Sequence, residues 1–295
     1  MKIMRTLAVL SFLFFLASAN AEETKELEVN GIKITETVIT TNINYEFGFF
    51  NKETVTVKLY GVLWTPTGFQ QPYPILIWNH GSQDGGTIFQ FGPDRALFSF
   101  FLKQGFAVFY PLRKGFGRKE YPAPVYKADE TEPIQCGNYA SAEAGVKSAI
   151  SDVKGFRTVL ADRKDLDMTH VILMGQSRGG FLSLALAADG FPGLVAVINF
   201  SGGWFSENCY GGYNSSKFSE FGKKIKVPVT SLYGDSDRYY GVSHIKSNLS
   251  NLDGKNNLSY SHIFEGEGHS SMLSKQNKWD EPIQKTINQV KSKKE

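Results

Sequence analysis

Short apolar runs alternate with amphipathic stretches over most of this sequence. Six runs, each of strand length and mainly branched or aromatic, are typical of strands buried on both faces of a sheet; they lie at 75–78, 106–110, 171–174, 195–198, 227–232 and 260–264. Between or after them, apolar residues at helical spacing predict helices at 95–103, 141–161, 178–188, 241–252 and 281–291. This alternation predicts an α/β fold with a mostly parallel central sheet covered by helices on both faces.

The first part of the chain follows a different pattern. Residues 22–30 are polar, and we expect them to be loose. From Ile32 to Trp64, β-branched and aromatic residues partly alternate with polar ones. This segment predicts an antiparallel N-terminal strand pair that turns at Asn51-Lys52 and joins the parallel sheet.

The N-terminus has the three parts of a secretory signal peptide. Lys2 and Arg5 precede an apolar run of about ten residues, which is too short to span a bilayer comfortably. Ala19-x-Ala21 then fits a signal-peptidase site. We expect cleavage after Ala21, so that residues 1–21 are removed and the mature protein is periplasmic or secreted, with no membrane span. A buried or membrane-anchoring helix is the alternative for this run.

Two stretches interrupt the alternation of strands and helices. Residues 117–140 contain three prolines and an acidic run, and residues 203–224 are rich in glycine, serine and aromatic residues. Each follows a strand end, where lids and pocket walls attach, so we expect two lid-like excursions on a single domain of residues 22–295. Cys136 lies in one excursion and Cys209 in the other. In an oxidising compartment a disulfide between them is expected, and two separate buried thiols are the alternative.

Composition and charge exclude several classes of function. The 295 residues are 41% hydrophobic and 21% charged, which favours a globular core over disorder. The net charge is +3, and subtracting the two positive charges of Lys2 and Arg5 leaves about +1, so nucleic acid is not an expected partner. Neither cysteine is in a CxxC pair or has a histidine at ligand spacing, so a zinc site is not expected. The sequence implies no metal and no organic cofactor. The oligomeric state stays open.

The central candidate for chemistry is the sequence Gly-Gln-Ser-Arg-Gly-Gly at 175–180. It follows the apolar strand 171–174 directly and opens an apolar helix, which is the strand–turn–helix context of a nucleophile elbow. Such a turn is tight and needs small residues on either side of the nucleophile, so Ser177 would project above the edge of the sheet. A glycine-rich turn with an N-capping serine is the alternative.

A serine nucleophile needs a base that takes its proton and a carboxylate that orients the base. His269 lies on a glycine-flanked loop directly after the strand 260–264 and is the candidate base. Asp237 follows the strand 227–233 and is the candidate carboxylate. Asp235 competes for this role, or caps the turn through backbone hydrogen bonds.

Two backbone N–H groups are expected to stabilise the oxyanion that forms during the reaction. Arg178 directly follows Ser177 and supplies one donor at a helix N-terminus, where the helix dipole also favours negative charge. The loop after strand 75–78 reads Asn-His-Gly-Ser-Gln, and the N–H of Ser82 is the candidate for the second donor. His80 in this loop is expected to organise the backbone without moving protons.

Together these features resemble the α/β-hydrolase superfamily, and within it the dienelactone-hydrolase-like and prolyl-oligopeptidase-like serine esterases. The resemblance covers roughly residues 50–290 and rests on Trp78-Asn79-His80-Gly81-Ser82, on Gly105-Phe106-Ala107-Val108 with Arg113 and Gly115-x-Gly117, on the elbow at 175–179, on Gly234-x-x-Asp237 and on Gly268-His269. It implies a serine hydrolase that cleaves small or medium carboxylic esters through an acyl-enzyme intermediate. A peptidase or amidase with the same triad and a non-catalytic binding protein on this scaffold stay open as alternatives. Dienelactone hydrolases proper carry a cysteine where this chain has Ser177.

Overall fold

The computed structural model describes residues 23–47, 53–82, 92–114, 139–253 and 259–291. The predicted signal peptide, the predicted turn at Asn51-Lys52 and residues 117–138 of the first excursion lie outside the described residues. Cys209 takes part in a disulfide, but Cys136 lies outside the described residues, so the pairing of the two cysteines stays a prediction.

The described residues form nine strands, six α-helices and a short 3-10 turn at Ser271–Ser274. The strands are β1 (Thr24–Val29), β2 (Ile32–Phe47), β3 (Glu53–Pro66), β4 (Tyr73–Asn79), β5 (Ala107–Leu112), β6 (Leu166–Gln176), β7 (Leu194–Phe200), β8 (Val229–Gly234) and β9 (Tyr260–Phe264). The helices are α1 (Ala96–Leu102), α2 (Tyr139–Leu160), α3 (Arg178–Ala188), α4 (Glu207–Lys224), α5 (Val242–Asp253) and α6 (Gln276–Lys291).

All nine described strands belong to a single mixed sheet with the order β1-β2-β3-β5-β4-β6-β7-β8-β9. The pairs from β5 to β9 are parallel, whereas β1, β2 and β3 are antiparallel to their neighbours. Helices α2, α3 and α4 bury their apolar sides in the core on one face of the sheet, and α1 and α6 bury theirs on the other. The predicted α/β fold, with a mostly parallel sheet, helices on both faces and antiparallel N-terminal strands, is confirmed.

The N-terminal segment differs from its prediction. Residues 24–29 were expected to be loose but form β1, an edge strand paired antiparallel with β2. Asn30 and Gly31 have φ angles of 51° and 75° and are the two turn residues between Val29 and Ile32. An Asn-Gly pair of positive φ is the usual two-residue hairpin turn, and it fixes the register of β1. The antiparallel part of the sheet therefore has three strands rather than a pair.

The second predicted excursion also differs, because most of residues 203–224 form helix α4. Phe218 and Phe221, three positions apart, pack on Phe181 of α3 with ring centroids 6.1 and 5.2 Å away. These aromatic contacts stabilise the helix despite its three glycines, which weaken helices. Helix α4 thus connects β7 to β8 as an ordinary crossover.

The carboxyl ends of the parallel strands lie at the same edge of the sheet. The segments after β4, β6, β8 and β9 carry Ser82, Ser177, Asp237 and His269 respectively, so the strand topology brings the four predicted residues to one place.

Among the helices that the structure describes, none is long and apolar enough to cross a membrane.

Candidate active site

Ser177 occupies a strained backbone position between β6 and α3. Its φ of 58° and ψ of −126° lie in a region that residues with a side chain rarely adopt. Its N–H donates to the carbonyl of Phe200 over 2.9 Å, and its own carbonyl accepts the N–H of Phe181 over 3.1 Å. Hydrogen bonds on both sides therefore hold the turn that presents the serine side chain at the edge of the sheet.

The glycines of the elbow are required by close backbone contacts. A Cβ atom on Gly175 would lie 2.3 Å from the carbonyl oxygen of Gly179. A Cβ atom on Gly179 would lie 1.9 Å from the carbonyl oxygen of Asn79 in β4. A side chain at either position would push α3 away from the sheet and move Ser177 with it.

His269 and Asp237 form the hydrogen bond expected of a base and its orienting carboxylate. The two atoms, Nδ1 of His269 and Oδ2 of Asp237, are 2.7 Å apart, and the Asp237 side chain has no exposed surface. The other carboxylate oxygen, Oδ1, accepts the N–H of Tyr239 over 2.8 Å. Because a carboxylate only accepts, the Nδ1 of His269 carries a proton and Nε2 is the ring atom that can take another.

The competing carboxylate, Asp235, has a different position. Its Oδ1 accepts the N–H of Gly266 over 2.8 Å and the hydroxyl of Ser236 over 2.9 Å. Asp235 therefore joins the turn after β8 to the turn after β9, which is the turn-capping alternative. The histidine is hydrogen-bonded to Asp237 instead.

A cavity of about 390 Å³ brings the predicted site residues together. Ser177, His269, Arg178 and Ser82 all line it, and Asp237 lies behind His269. The first turn of α3 also reaches this cavity through Arg178, so the positive end of the helix dipole favours negative charge there.

The sequence reasoning missed an aromatic wall of this cavity formed by Trp204, Tyr239 and Tyr240. Tyr239 lies edge-on to His269 with ring centroids 4.6 Å apart, and Tyr240 lies 5.7 Å from the same ring. These contacts limit the rotation of the imidazole. Two consecutive tyrosines, two and three positions after Asp237 on a strand-end loop, were the available signal.

The side chain of Arg178 packs against Trp204 in the wall of the cavity. Its Nε donates to the carbonyl of Trp204 over 3.0 Å, and its guanidinium lies 5.1 Å from the centroid of the Trp204 ring. The guanidinium thus holds the Trp204 wall, while the backbone N–H of Arg178 belongs to the first turn of α3 beside Ser177.

Gln176 ties the elbow to the loop that carries the histidine. Its Nε2 donates to the hydroxyl of Ser270 over 3.0 Å and to the carbonyl of His269 over 3.3 Å. Its Oε1 would be 2.8 Å from a Cβ atom on Gly81, so a side chain at that position of the candidate oxyanion loop (residues 80–82) would displace the Gln176 amide. No pattern in the sequence signals this role, because it depends on contacts between three separate loops.

His80 is a buried, neutral residue that orients the oxyanion loop. The backbone N–H of Arg113 donates to its Nε2 over 3.3 Å, so the ring proton is on Nδ1, which is 2.8 Å from the carbonyl oxygen of Gly81. Burial, and then the positive charge of Arg113, hold the pKa of His80 well below its ordinary value. In a trans peptide the N–H of Ser82 points opposite to the Gly81 carbonyl, away from the His80 ring, and Ser82 itself lines the cavity.

The remaining histidines lie away from the cavity lining, in strands β6 and β9 and in helix α5. They are His170, whose Nδ1 is 2.8 Å from Asp167, His262, which stacks near Tyr260, and His244, which is hydrogen-bonded to Asn248. Within the described part of the chain there is no group of three or more histidine, cysteine, aspartate or glutamate side chains that could hold a metal ion.

Comparison with solved structures identifies similar folds among esterases. An esterase from an Arctic intertidal metagenomic library has a TM-score of 0.60 at 12% identity, covering 92% of this chain and 97% of its own. An esterase from Pyrococcus furiosus has a TM-score of 0.58 at 13% identity, covering 84% of this chain and 90% of its own. An acetyl xylan esterase from Paenibacillus sp. R4 has a TM-score of 0.58 at 15% identity, covering 90% of this chain and 88% of its own. No curated protein matches this sequence.

The model of the dienelactone hydrolase family matches residues 95–293, which is more than half of the sequence. The chain belongs to the dienelactone hydrolase family.

Proposed function

We propose that this protein is a serine hydrolase that cleaves carboxylic esters of small molecules through an acyl-enzyme intermediate. The observation that carries the proposal is the 2.7 Å contact between His269 and Asp237 at a cavity that Ser177 also lines. The family and the fold shared with esterases support hydrolysis of esters in particular.

In the first half of the proposed reaction, Ser177 Oγ attacks the ester carbonyl carbon while His269 Nε2 takes the hydroxyl proton. Asp237 stabilises the imidazolium that results. The N–H groups of Arg178 and Ser82 stabilise the oxyanion of the tetrahedral intermediate. When this intermediate collapses, the bond to the alcohol oxygen breaks, and the alcohol leaves with the proton from His269.

In the second half, water replaces the alcohol. His269 Nε2 takes a proton from the water, whose oxygen attacks the acyl carbon. The new tetrahedral intermediate collapses with breakage of the bond to Ser177 Oγ, which regains its proton from His269. The products are the carboxylic acid and the unmodified serine.

The experiment that tests the acyl-enzyme is a partition measurement with added methanol. Several esters of one acid with different alcohols are expected to give the same ratio of methyl ester to free acid, because all of them pass through one acyl-enzyme. A ratio that changes with the leaving alcohol would show direct attack of water on the substrate. Buffer without enzyme is the control for uncatalysed exchange.

We also propose that the protein is exported and loses residues 1–21. The positive charges of Lys2 and Arg5, the short apolar run after them and the Ala19-x-Ala21 sequence support this proposal. The expected result is an exported protein whose first residue is Glu22, measured by N-terminal sequencing of the periplasmic and secreted fractions. A full-length chain that stays in the cytoplasm or with the membrane contradicts the proposal, and a chain started at Glu22 is the matched control.

A further inference from the structure

A cluster of buried polar groups contacts the candidate oxyanion loop without lining the cavity. It consists of His80, Arg113, Lys114 and Asp152, whose exposed fractions are 0%, 2%, 6% and 0%. Asp152 belongs to α2, whereas Arg113 and Lys114 follow β5. Buried charged groups are expensive in free energy, so a cluster of them next to a catalytic loop calls for a functional explanation.

Two consecutive backbone N–H groups connect the members of this cluster. The N–H of Lys114 donates to Oδ2 of Asp152 over 2.8 Å. The N–H of Arg113 donates to Nε2 of His80 over 3.3 Å. The Arg113-Lys114 segment therefore bridges α2 to the oxyanion loop.

Asp152 is itself held from other directions. The hydroxyl of Tyr45 in β2 donates to its Oδ1. The ammonium group of Lys114 lies over the ring of Tyr45, 4.0 Å from the centroid. A carboxylate fixed in this way holds the Lys114 N–H in one orientation, and with it the preceding peptide.

We propose that Asp152 is a positioning residue for the second oxyanion donor, the N–H of Ser82. It acts through the backbone at 113–114, which fixes the ring of His80. His80 in turn fixes the Gly81 carbonyl and so directs the Ser82 N–H into the cavity. This role rests on the proposed function, because the oxyanion is the intermediate of that reaction.

The charge of Asp152 reduces the stability of the fold. Among the described residues, the ionisable groups that face it are Tyr45, Arg113 and Lys114. Burial raises its pKa from 3.8 to about 6, although hydrogen bonds from Tyr45 and Lys114 and the two positive charges act in the opposite direction. Since the folded chain binds this proton more tightly than the unfolded chain, stability falls as the pH rises between these two values, and the loss is complete above about 6.

Asp152→Asn separates positioning from plain structural support. It removes the charge and keeps a hydrogen-bonding group of the same shape. We expect its Tm to equal or exceed that of the wild type at about pH 8, with a difference that shrinks as the pH falls through about 6, where the wild-type carboxyl gains its proton. A role in stability alone predicts a lower Tm instead.

The same variant is expected to lose transition-state stabilisation. Its kcat for an aryl ester should fall about tenfold with KM nearly unchanged, less than the roughly 100- to 1000-fold lost when an oxyanion donor is removed outright. Its affinity for an aryl trifluoromethyl ketone, which adds Ser177 Oγ and forms an oxyanion, should fall by a similar factor. All rates are divided by the active-site concentration, measured by titration with a fluorophosphonate.

Asp167→Asn is the matched control. Asp167 also accepts a backbone N–H, that of Thr169 over 3.1 Å, but it lies at the amino end of β6, away from the cavity. This variant should keep the wild-type kcat and the wild-type affinity for the ketone. If Asp152→Asn does not fold, Tyr45→Phe is the second test: it keeps the carboxylate and should show smaller losses of kcat and of ketone affinity per active site. Its Tm at about pH 8 is expected to fall, because the buried carboxylate loses the hydrogen bond from Tyr45.

If Asp152→Asn kept the kcat and the ketone affinity of the wild type, the positioning role would be overturned. The same holds for Tyr45→Phe if Asp152→Asn does not fold. The positioning role would also be overturned if Asp152→Asn lost activity only in proportion to its loss of active sites, as counted by fluorophosphonate titration, and had a lower Tm at about pH 8. Both results leave the proposed function intact as long as the wild type is labelled by the fluorophosphonate. A wild type that is not labelled contradicts the proposed function itself.

Discussion

Ser177→Ala is expected to lower kcat for ester hydrolysis by about ten-thousand- to a million-fold, with little change in KM. The variant keeps the cavity, the oxyanion donors and the His269–Asp237 pair, so substrate should still bind. Without the Oγ nucleophile, the reaction is left with water and the oxyanion donors, which accelerate hydrolysis far less. The measurement is the initial rate of p-nitrophenyl ester hydrolysis at equal concentrations of folded protein.

Ser236→Ala is the matched control for this prediction. It makes the same substitution in the lining of the same cavity, at an exposed serine whose hydroxyl bonds to Asp235. We expect its kcat to stay within about threefold of the wild type, because exposed substitutions of this kind have small effects. If Ser177→Ala kept more than about one hundredth of the wild-type rate, Ser177 would not be the nucleophile.

Asp237→Asn is expected to lower kcat by about ten-thousand-fold while the fold stays intact. The N–H of Tyr239 requires an acceptor at one side-chain position of residue 237, so the Asn oxygen will occupy that position. The Asn amide nitrogen then faces His269 Nδ1 and donates to it. This places the ring proton on Nε2, the atom that must accept the proton of Ser177, and the base is in the wrong tautomer.

Asp235→Asn tests the choice between the two carboxylates. It makes the same substitution two residues away, where the oxygen that accepts the Gly266 N–H can be retained. We expect its kcat to remain within about tenfold of the wild type, since Asp235 only joins two turns. A large loss in Asp235→Asn together with a small loss in Asp237→Asn would show that the carboxylate was assigned wrongly. The pH dependence of kcat/KM, measured for both variants, distinguishes a lost base from a displaced loop.

The central part of the fold was predictable because each element there carries a strong local pattern. The bounds of α3 at 178–188 and of β9 at 260–264 agree with the sequence prediction. Strand β6, predicted at 171–174, extends to Leu166–Gln176. Its first residues are partly polar and pair near the edge of the core, where burial no longer imposes an apolar pattern.

The N-terminal strand and helix α4 were missed for different reasons. Asn30-Gly31 is a strong hairpin signal, and reading it would have predicted β1. Helix α4 has no such signal, because its glycines and serines favour a loop and its stability comes from Phe218 and Phe221 packing on α3. Tertiary packing there outweighs local propensity.

The candidate triad was predictable because strand ends and glycines mark Ser177, Asp237 and His269 locally. The residues that support it carry no such marks. Gln176 contacts a loop 94 positions away, and Asp152 contacts Lys114 and Tyr45, which are 38 and 107 positions away. Such contacts depend on how strands and helices are arranged in space, and no local pattern encodes them.

Whether Ser177 is the nucleophile is tested most directly by the site at which a fluorophosphonate labels the protein. An activated serine attacks the phosphorus of this reagent and displaces fluoride, so we expect a single adduct on the intact wild-type protein, mapped by mass spectrometry to the peptide with Ser177. Ser177→Ala should carry no adduct, and Asp237→Asn should be labelled far more slowly. A wild type without any adduct, or an adduct on another residue that persists in Ser177→Ala, would show that Ser177 is not the nucleophile.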